Sequence, residues 1–169
     1  LDMSIQQYHF HIRKEALKFA SAHMTVFPDG SKESLHGHNY STEVSLELSS
    51  IALNDTIAFS VVKKIMREIC EAWDEKVLLP SQCPFFELLK KDEQSVEFSL
   101  CKKRYVLPAD EVVFLALDNI TSETLAGEFS RRLILGLKKL PEFSLIQSVS
   151  VRVEESPGQG GTCVWRSKK

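Results

Sequence analysis

The sequence predicts an α+β fold, an antiparallel sheet with helices packed on one of its faces, and three observations predict it. Two stretches alternate apolar and polar residues with a period of two, from Asn39 to about Ser49 and from Ser148 to Glu155. Two others repeat apolar residues every three or four positions, as one face of a helix does. The order is strand, strand, helix, a mixed excursion, helix, strand, strand, and hairpins separated by helices imply that layered arrangement.

Each element has its own signature. From about Tyr8 to Ala22, the apolar set of Phe10 and Ile12 changes parity before Leu17 and Phe19, which predicts a bulge in one long strand. Tyr40, Thr42, Val44, Leu46 and Leu48 form the apolar face of the next strand. Phe59, Val62, Met66, Ile69 and Trp73 make the first helical stripe. Leu125, Phe129, Leu133 and Leu137 make the second, over about Ser122 to Leu137. Asn119, Thr121 and Ser122 are candidate caps for that helix, and Glu123 suits the positive end of its dipole. Between residues 80 and 112 the pattern is mixed; Ser95 to Leu107 reads as one strand of an extra hairpin with Val112 to Leu117. Val149, Val151 and Val153 define the penultimate strand. Thr162 to Arg166 forms a short last one, after the turn Pro157-Gly-Gln-Gly-Gly161.

A chain of 169 residues, 43% of them hydrophobic, fits one domain over 1–169 with a sizeable core. A net charge of −2 gives no general attraction to nucleic acid or anionic membrane, and no apolar run approaches the roughly 18 residues of a membrane span. Cys70, Cys83, Cys101 and Cys163 lie far apart without a Cys-x-x-Cys pair, and the N-terminal residues lack the basic-then-apolar order of an export signal. Both features predict reduced thiols and a cytoplasmic location.

The chemistry is concentrated in histidines. His36-Gly37-His38 leads into the strand at Asn39, and residues two apart in an extended chain face the same way with Cα atoms about 6.6 Å apart. Counting by twos from Tyr40 puts both on the apolar side. If the first two strands form a hairpin, residues 24 to 35 connect them and His23 lies opposite the pair. Three neutral imidazoles with one open position are the pattern of a catalytic Zn²⁺ site. The plainer alternative is that the His-x-His spacing is chance and His23 a satisfied core histidine; His9-Phe10-His11 has the same spacing with no third ligand near it.

Four segments occur in order: Phe19-Ala-Ser-Ala-His23, Leu35-His-Gly-His-Asn-Tyr40, Asn119-Ile-Thr-Ser-Glu123 and Val151-Arg-Val-Glu-Glu-Ser156. Together they resemble the 6-pyruvoyl-tetrahydropterin synthase family, which includes 6-carboxytetrahydropterin synthase. The resemblance implies a tunnelling fold (T-fold), in which a four-stranded antiparallel sheet carries two helices on one face, here with a hairpin insertion. It also implies a homohexamer, a dimer of trimers with active sites between subunits, and a lyase acting on 7,8-dihydroneopterin triphosphate with zinc held by His23, His36 and His38. Glu155 matches the family's pterin anchor, and a carboxylate at the end of the row Val149, Val151, Val153 can accept two hydrogen bonds from a pterin. Thr121 and Ser122 match pterin-contacting positions.

Two departures bear on the reaction. The family's usual cysteine base before His-Gly-His is missing from Pro28–Leu35, where Glu33 stands three residues ahead of His36. That resembles the branch with Glu in this region, which cleaves the side chain to 6-hydroxymethyl-7,8-dihydropterin for folate synthesis. Glu33 also fits an exposed polar turn. The family's Asp-His pair becomes Asp74-Glu75, and a carboxylate does not mimic imidazole near neutral pH unless burial raises its pKa. The expected catalytic set is therefore Glu33, Asp74 and Glu75. The alternatives are triphosphate elimination by a 6-pyruvoyl or 6-carboxy synthase, and a non-catalytic zinc and pterin binder.

Overall fold

A computed structural model of the chain describes residues 6–168, so the first residues of the N-terminal segment read above for export signals lie outside it. Strand β1 (Tyr8–His23) pairs antiparallel with β2 (His36–Leu48). The register of that pair shifts between Arg13 and Lys18, where the sequence changes parity. Helix α1 (Phe59–Trp73) follows, and its buried Val62, Met66, Ile69 and Trp73 face the sheet. Helix α2 (Ser122–Leu137) buries Leu125, Phe129, Leu133 and Leu137 beside it. Strands β8 (Ile146–Ser156) and β9 (Gln159–Arg166) complete the antiparallel part of the sheet.

The main core lies between this sheet and the two helices. Phe19, Tyr40, Val44, Leu46, Val149, Val151 and Val153 fill it from the strands, and Met66, Trp73 and Phe129 from the helices. The Trp73 indole meets the edge of both Phe19 and Phe129, at 5.3 and 5.9 Å between ring centres. Burial on this scale, at about 25 cal/mol per Å² of apolar surface, is the main force holding the helices to the strands.

The sheet is wider than the expected four strands, and mixed. Strand β3 (Lys76–Pro80) leaves α1 through Glu75, which adopts a left-handed backbone (φ 56°), and pairs parallel to β1. Strand β7 (Val112–Leu115) pairs parallel to β3, giving the order β7-β3-β1-β2-β8-β9. The antiparallel four remain as its centre and one edge.

The predicted pairing of residues 95–107 with 112–117 does not form. Ser95–Leu100 (β5) instead folds back on Lys103–Pro108 (β6), and with Phe86–Lys91 (β4) they make a separate three-stranded sheet. The reversal occurs at Cys101 and Lys102, both at positive φ (50° and 65°), where neither residue type signals a tight turn. A second apolar cluster of Met24, Val26, Leu79, Cys83, Val96, Phe98 and Leu100 joins this small sheet to the β1–β2 connection. All four cysteines are free. Among the described residues, no helix is long and apolar enough to cross a membrane.

Candidate active site

The β1–β2 register sets His23 directly across from His36, and Ser21 across from His38. Because His36, His38 and Tyr40 alternate along β2 with the same parity as buried Thr42 and Val44, both imidazoles fall on the helix-covered face. One ring nitrogen from each of His23, His36 and His38 lies within 4.8 Å of the others. His9 and His11 gather no such partners among the described residues; His11 pairs with Glu43 at 3.1 Å instead.

The hydrogen bonds around the rings favour a cation among them. Nδ1 of His23 lies 2.8 Å from the Ile120 carbonyl, and Nδ1 of His36 lies 2.7 Å from that of Ser34. A carbonyl only accepts, so each Nδ1 carries the proton and each Nε2 presents its lone pair. Second-partner bonds of this kind fix the tautomer and aim of metal-ligating histidines. Nε2 of His23 is buried and has no hydrogen-bond partner among the described residues, an arrangement that is costly unless something occupies that lone pair. Burial, and then the nearby His36 and His38, push the His23 pKa down against the opposing pull of the Ile120 bond and Glu155, keeping the ring neutral as a ligand must be. The residues present fit a divalent ion with one position left open.

Two carboxylates border the cluster. Glu33 Oε2 is 3.8 Å from His36 Nε2, and a hydrogen bond from the Thr25 hydroxyl holds the Glu33 carboxyl below the usual carboxylate range. On the other side Glu155 Oε2 is 3.8 Å from His38 Nε2 and accepts a 3.4 Å bond from Ser122 Oγ. Glu155, Thr25, Thr121 and Ser122 line one cavity of about 500 Å³, large enough for a bicyclic ring with a short side chain.

Thr121 is the N-cap of α2: its side chain accepts from Thr124 N, while the Thr124 hydroxyl answers the Thr121 N–H. Ser122 takes the first helical position and is free to reach Glu155. Asn119, a candidate cap by sequence, does something else. Its side-chain amide clasps the backbone of Val26. Nothing in the sequence pattern distinguishes a capping asparagine from one that reaches a distant strand.

Asp74 and Glu75 make no direct bond to the imidazoles of their own chain among the described residues. Asp74 caps the end of α1, and its Oδ1 accepts from Ala20 N at 2.7 Å; Glu75 N donates to Ala20 O at 2.7 Å. Glu75 lines a second cavity, of about 370 Å³, with Ala20, Ala22 and Asn39 from the opposite strand parity and with His38 at its border. Among the described residues, neither acid makes a hydrogen bond or ion pair with the cluster.

This geometry has counterparts among known proteins. The family model described as 6-pyruvoyl tetrahydropterin synthase matches residues 11–164. The chain belongs to the 6-pyruvoyl tetrahydropterin synthase family. A Methanocaldococcus jannaschii protein named "Putative 6-carboxy-5,6,7,8-tetrahydropterin synthase" is 33% identical over 147 residues, covering 85% of this chain and 87% of that protein. A Pyrococcus horikoshii protein of the same name is 27% identical over 141 residues, 83% of this chain and 81% of its own. The crystal structure of 6-pyruvoyl tetrahydropterin synthase from Plasmodium vivax superposes with a TM-score of 0.87 at 23% identity, covering 96% of this chain and all of that one (100%). A variant of that Plasmodium vivax enzyme, in which a glutamate described as a catalytic residue becomes alanine, gives 0.86 at 22% identity with the same coverage. Enzymes of the 6-pyruvoyl tetrahydropterin synthase family are lyases of pterin biosynthesis and use a metal ion. The solved structures establish the T-fold for this chain.

Proposed function

We propose that this protein is a zinc-dependent lyase that cleaves the side chain of 7,8-dihydroneopterin triphosphate to 6-hydroxymethyl-7,8-dihydropterin, with Glu33 as the base. The observation that carries this reading is the Glu33 carboxylate, 3.8 Å from an imidazole of the cluster, in a segment that contains no cysteine. His23, His36 and His38 would hold the zinc. The ion supplies a Lewis acid that polarises the side-chain oxygens of the substrate.

The chain's own residues divide the remaining work. Glu155, steadied by Ser122, accepts hydrogen bonds from the amino group and ring N–H of the pterin, and Thr121 borders the same pocket. Held there, the pterin would direct its side chain toward the histidines, of which His38 borders the Glu155 carboxylate. Glu33 removes the proton from the hydroxyl on the second side-chain carbon. The bond between the first and second carbons then breaks, and its electron pair passes into the pterin ring. A proton returned to the first carbon leaves the hydroxymethyl group, and the second and third carbons depart as a triphosphorylated aldehyde. A low Glu33 pKa keeps the carboxylate ionised and ready as base near neutral pH, at some cost in basicity.

Asp74 and Glu75 fit the account as residues lent to a neighbouring subunit's site, in a cytoplasmic homohexamer whose active sites lie between chains. That neither acid bonds the cluster of its own chain, among the described residues, while Glu75 borders a cavity that His38 also lines, supports that arrangement. One observation favours a second reading: the relative at 33% identity is named a 6-carboxytetrahydropterin synthase, which would instead make this chain a triphosphate-eliminating enzyme.

Incubation of the zinc-loaded protein with dihydroneopterin triphosphate, followed by chromatography, decides between them. The expected product is 6-hydroxymethyldihydropterin, with kcat falling about 10²- to 10⁴-fold in Glu33→Gln. A 6-carboxy or 6-pyruvoyl product establishes the second reading. No conversion at all leaves only a binder of zinc and pterin and refutes both.

A further inference from the structure

Four consecutive residues, Asn119 to Ser122, each hold a different part of the site. Ser122 bonds Glu155, Thr121 caps α2 beside the cavity, and the Ile120 carbonyl orients His23. Asn119 takes the fourth part, the β1–β2 connection. Its Oδ1 accepts from Val26 N at 2.9 Å and from Ile120 N at 3.0 Å, and its Nδ2 donates to Val26 O at 2.8 Å. A planar amide that satisfies both backbone groups of one residue acts as a short piece of β-ladder, and it fixes Val26 in position and direction.

The connection is itself a miniature hairpin. Val26 bridges Lys32, Phe27 N donates to Ser31 O at 2.8 Å, and Glu33 N donates to Thr25 O at 2.9 Å. Whatever holds Val26 therefore holds its cross-strand neighbours, and Glu33 follows Lys32 directly. The tip is braced separately by the small sheet. Gly30 packs on the Phe85 ring, and Lys32 Nζ sits 5.2 Å above the centre of the Tyr105 ring. At the root, the second apolar cluster holds the Met24 and Val26 side chains, while the clasp fixes the Val26 backbone on which the Glu33 end is aligned.

We propose that Asn119 is a positioning residue that fixes the Glu33 carboxylate relative to the His23, His36 and His38 cluster by clasping Val26. This rests on the reading of Glu33 as the base. The amide touches neither the three imidazoles nor the Glu155 and Ser122 anchor, so its removal is expected to displace the base more than it weakens substrate binding.

The test is a double-mutant cycle of Asn119→Ala and Glu33→Gln, with amide hydrogen exchange on each protein. Asn119→Ala is expected to lower kcat at least about tenfold with KM changed less than about threefold. It should speed exchange at the Val26 and Glu33 amides about tenfold or more, with the middle of β2 unchanged. In the Glu33→Gln background, adding Asn119→Ala should lower kcat no further, because the two act through one carboxylate. Additive losses overturn the proposal, as does a rise in KM at constant kcat. Unchanged exchange at Val26 overturns it even where Glu33 proves essential. Full activity in Glu33→Gln, by contrast, removes the base assignment, while faster exchange in Asn119→Ala still locates the clasp. If Asn119→Ala does not fold, Asn119→Asp, which has the same shape and both acceptor bonds but lacks the donor to Val26 O, enters the same cycle and is judged by the same kinetic results, with exchange read at the Glu33 amide because Val26 N–H keeps its acceptor.

Discussion

Gly161 stands where β9 crosses the start of α2, and an alanine there tests how tightly the pterin-anchoring corner is built. A Cβ on Gly161 would lie 2.5 Å from both the N and the Cα of Glu123, and 2.8 Å from the carbonyl carbon of Ser122. Ordinary contact begins near 3.4 Å, so backbone must separate from backbone by about 0.9 Å. No flexible side chain is available to absorb the overlap. Overpacking of this kind costs about 1–3 kcal/mol, and near 2 kcal/mol the melting temperature of a domain this size falls by about 4–8 °C. The displaced group carries Ser122, whose hydroxyl bonds Glu155, so pterin binding should weaken along with stability. Thermal unfolding of Gly161→Ala at fixed protein concentration, with KM for dihydroneopterin triphosphate, reads both effects. A melting temperature within 1 °C of wild type together with an unchanged KM would refute the close packing of β9 on α2.

Further outcomes follow from the buried polar groups. Burial pushes the Cys70 thiol up from 9.0 to about 11, so above pH 9 the unfolded chain releases this proton while the folded chain keeps it, and stability falls as pH rises toward 11. Urea unfolding at pH 8 and pH 11 should show wild type losing on the order of 2 kcal/mol more than Cys70→Ala; equal losses would mean that Cys70 is not the group titrating. The Tyr40 hydroxyl is buried without a partner among the described residues, its ring stacked on Phe19. Tyr40→Phe should therefore stabilise the metal-free protein by about 1 kcal/mol, or about 3 °C. Destabilisation of that size would show that the hydroxyl has a partner.

Much of the fold could be read from local pattern because its signals are local. The parity change between Ile12 and Leu17 marks the Arg13–Lys18 register shift, and both helical stripes end up buried against the sheet, except Phe59, which is exposed at the start of α1. His36 and His38 share a face because strand geometry forces it, and His23 meets them because a hairpin puts the end of one strand opposite the start of the next. What the pattern did not reveal depends on distant pairing. Strands β3 and β7 are short, parallel and joined to partners far along the chain, so no nearby residue announces them. The β5–β6 turn uses Cys101 and Lys102 at positive φ, where glycine or asparagine would have marked it. Asp74 and Glu75 follow α1 directly, and only the fold shows them bonded to the backbone of Ala20.

The role of residues 80–112 follows from the same long-range contacts. Phe85 and Tyr105 brace the tip of the Glu33 hairpin, and the second apolar cluster ties Met24 and Val26 to the small sheet. An insertion that looks separate from the chemistry thus supports one wall of the site.

Metal content per chain, measured by elemental analysis on purified wild type and on His38→Ala, reaches the central claim most directly. The account predicts about one zinc per chain in wild type and little or none in the variant. Wild type that carries no stoichiometric zinc, or a His38→Ala protein that retains it in full, would contradict the account.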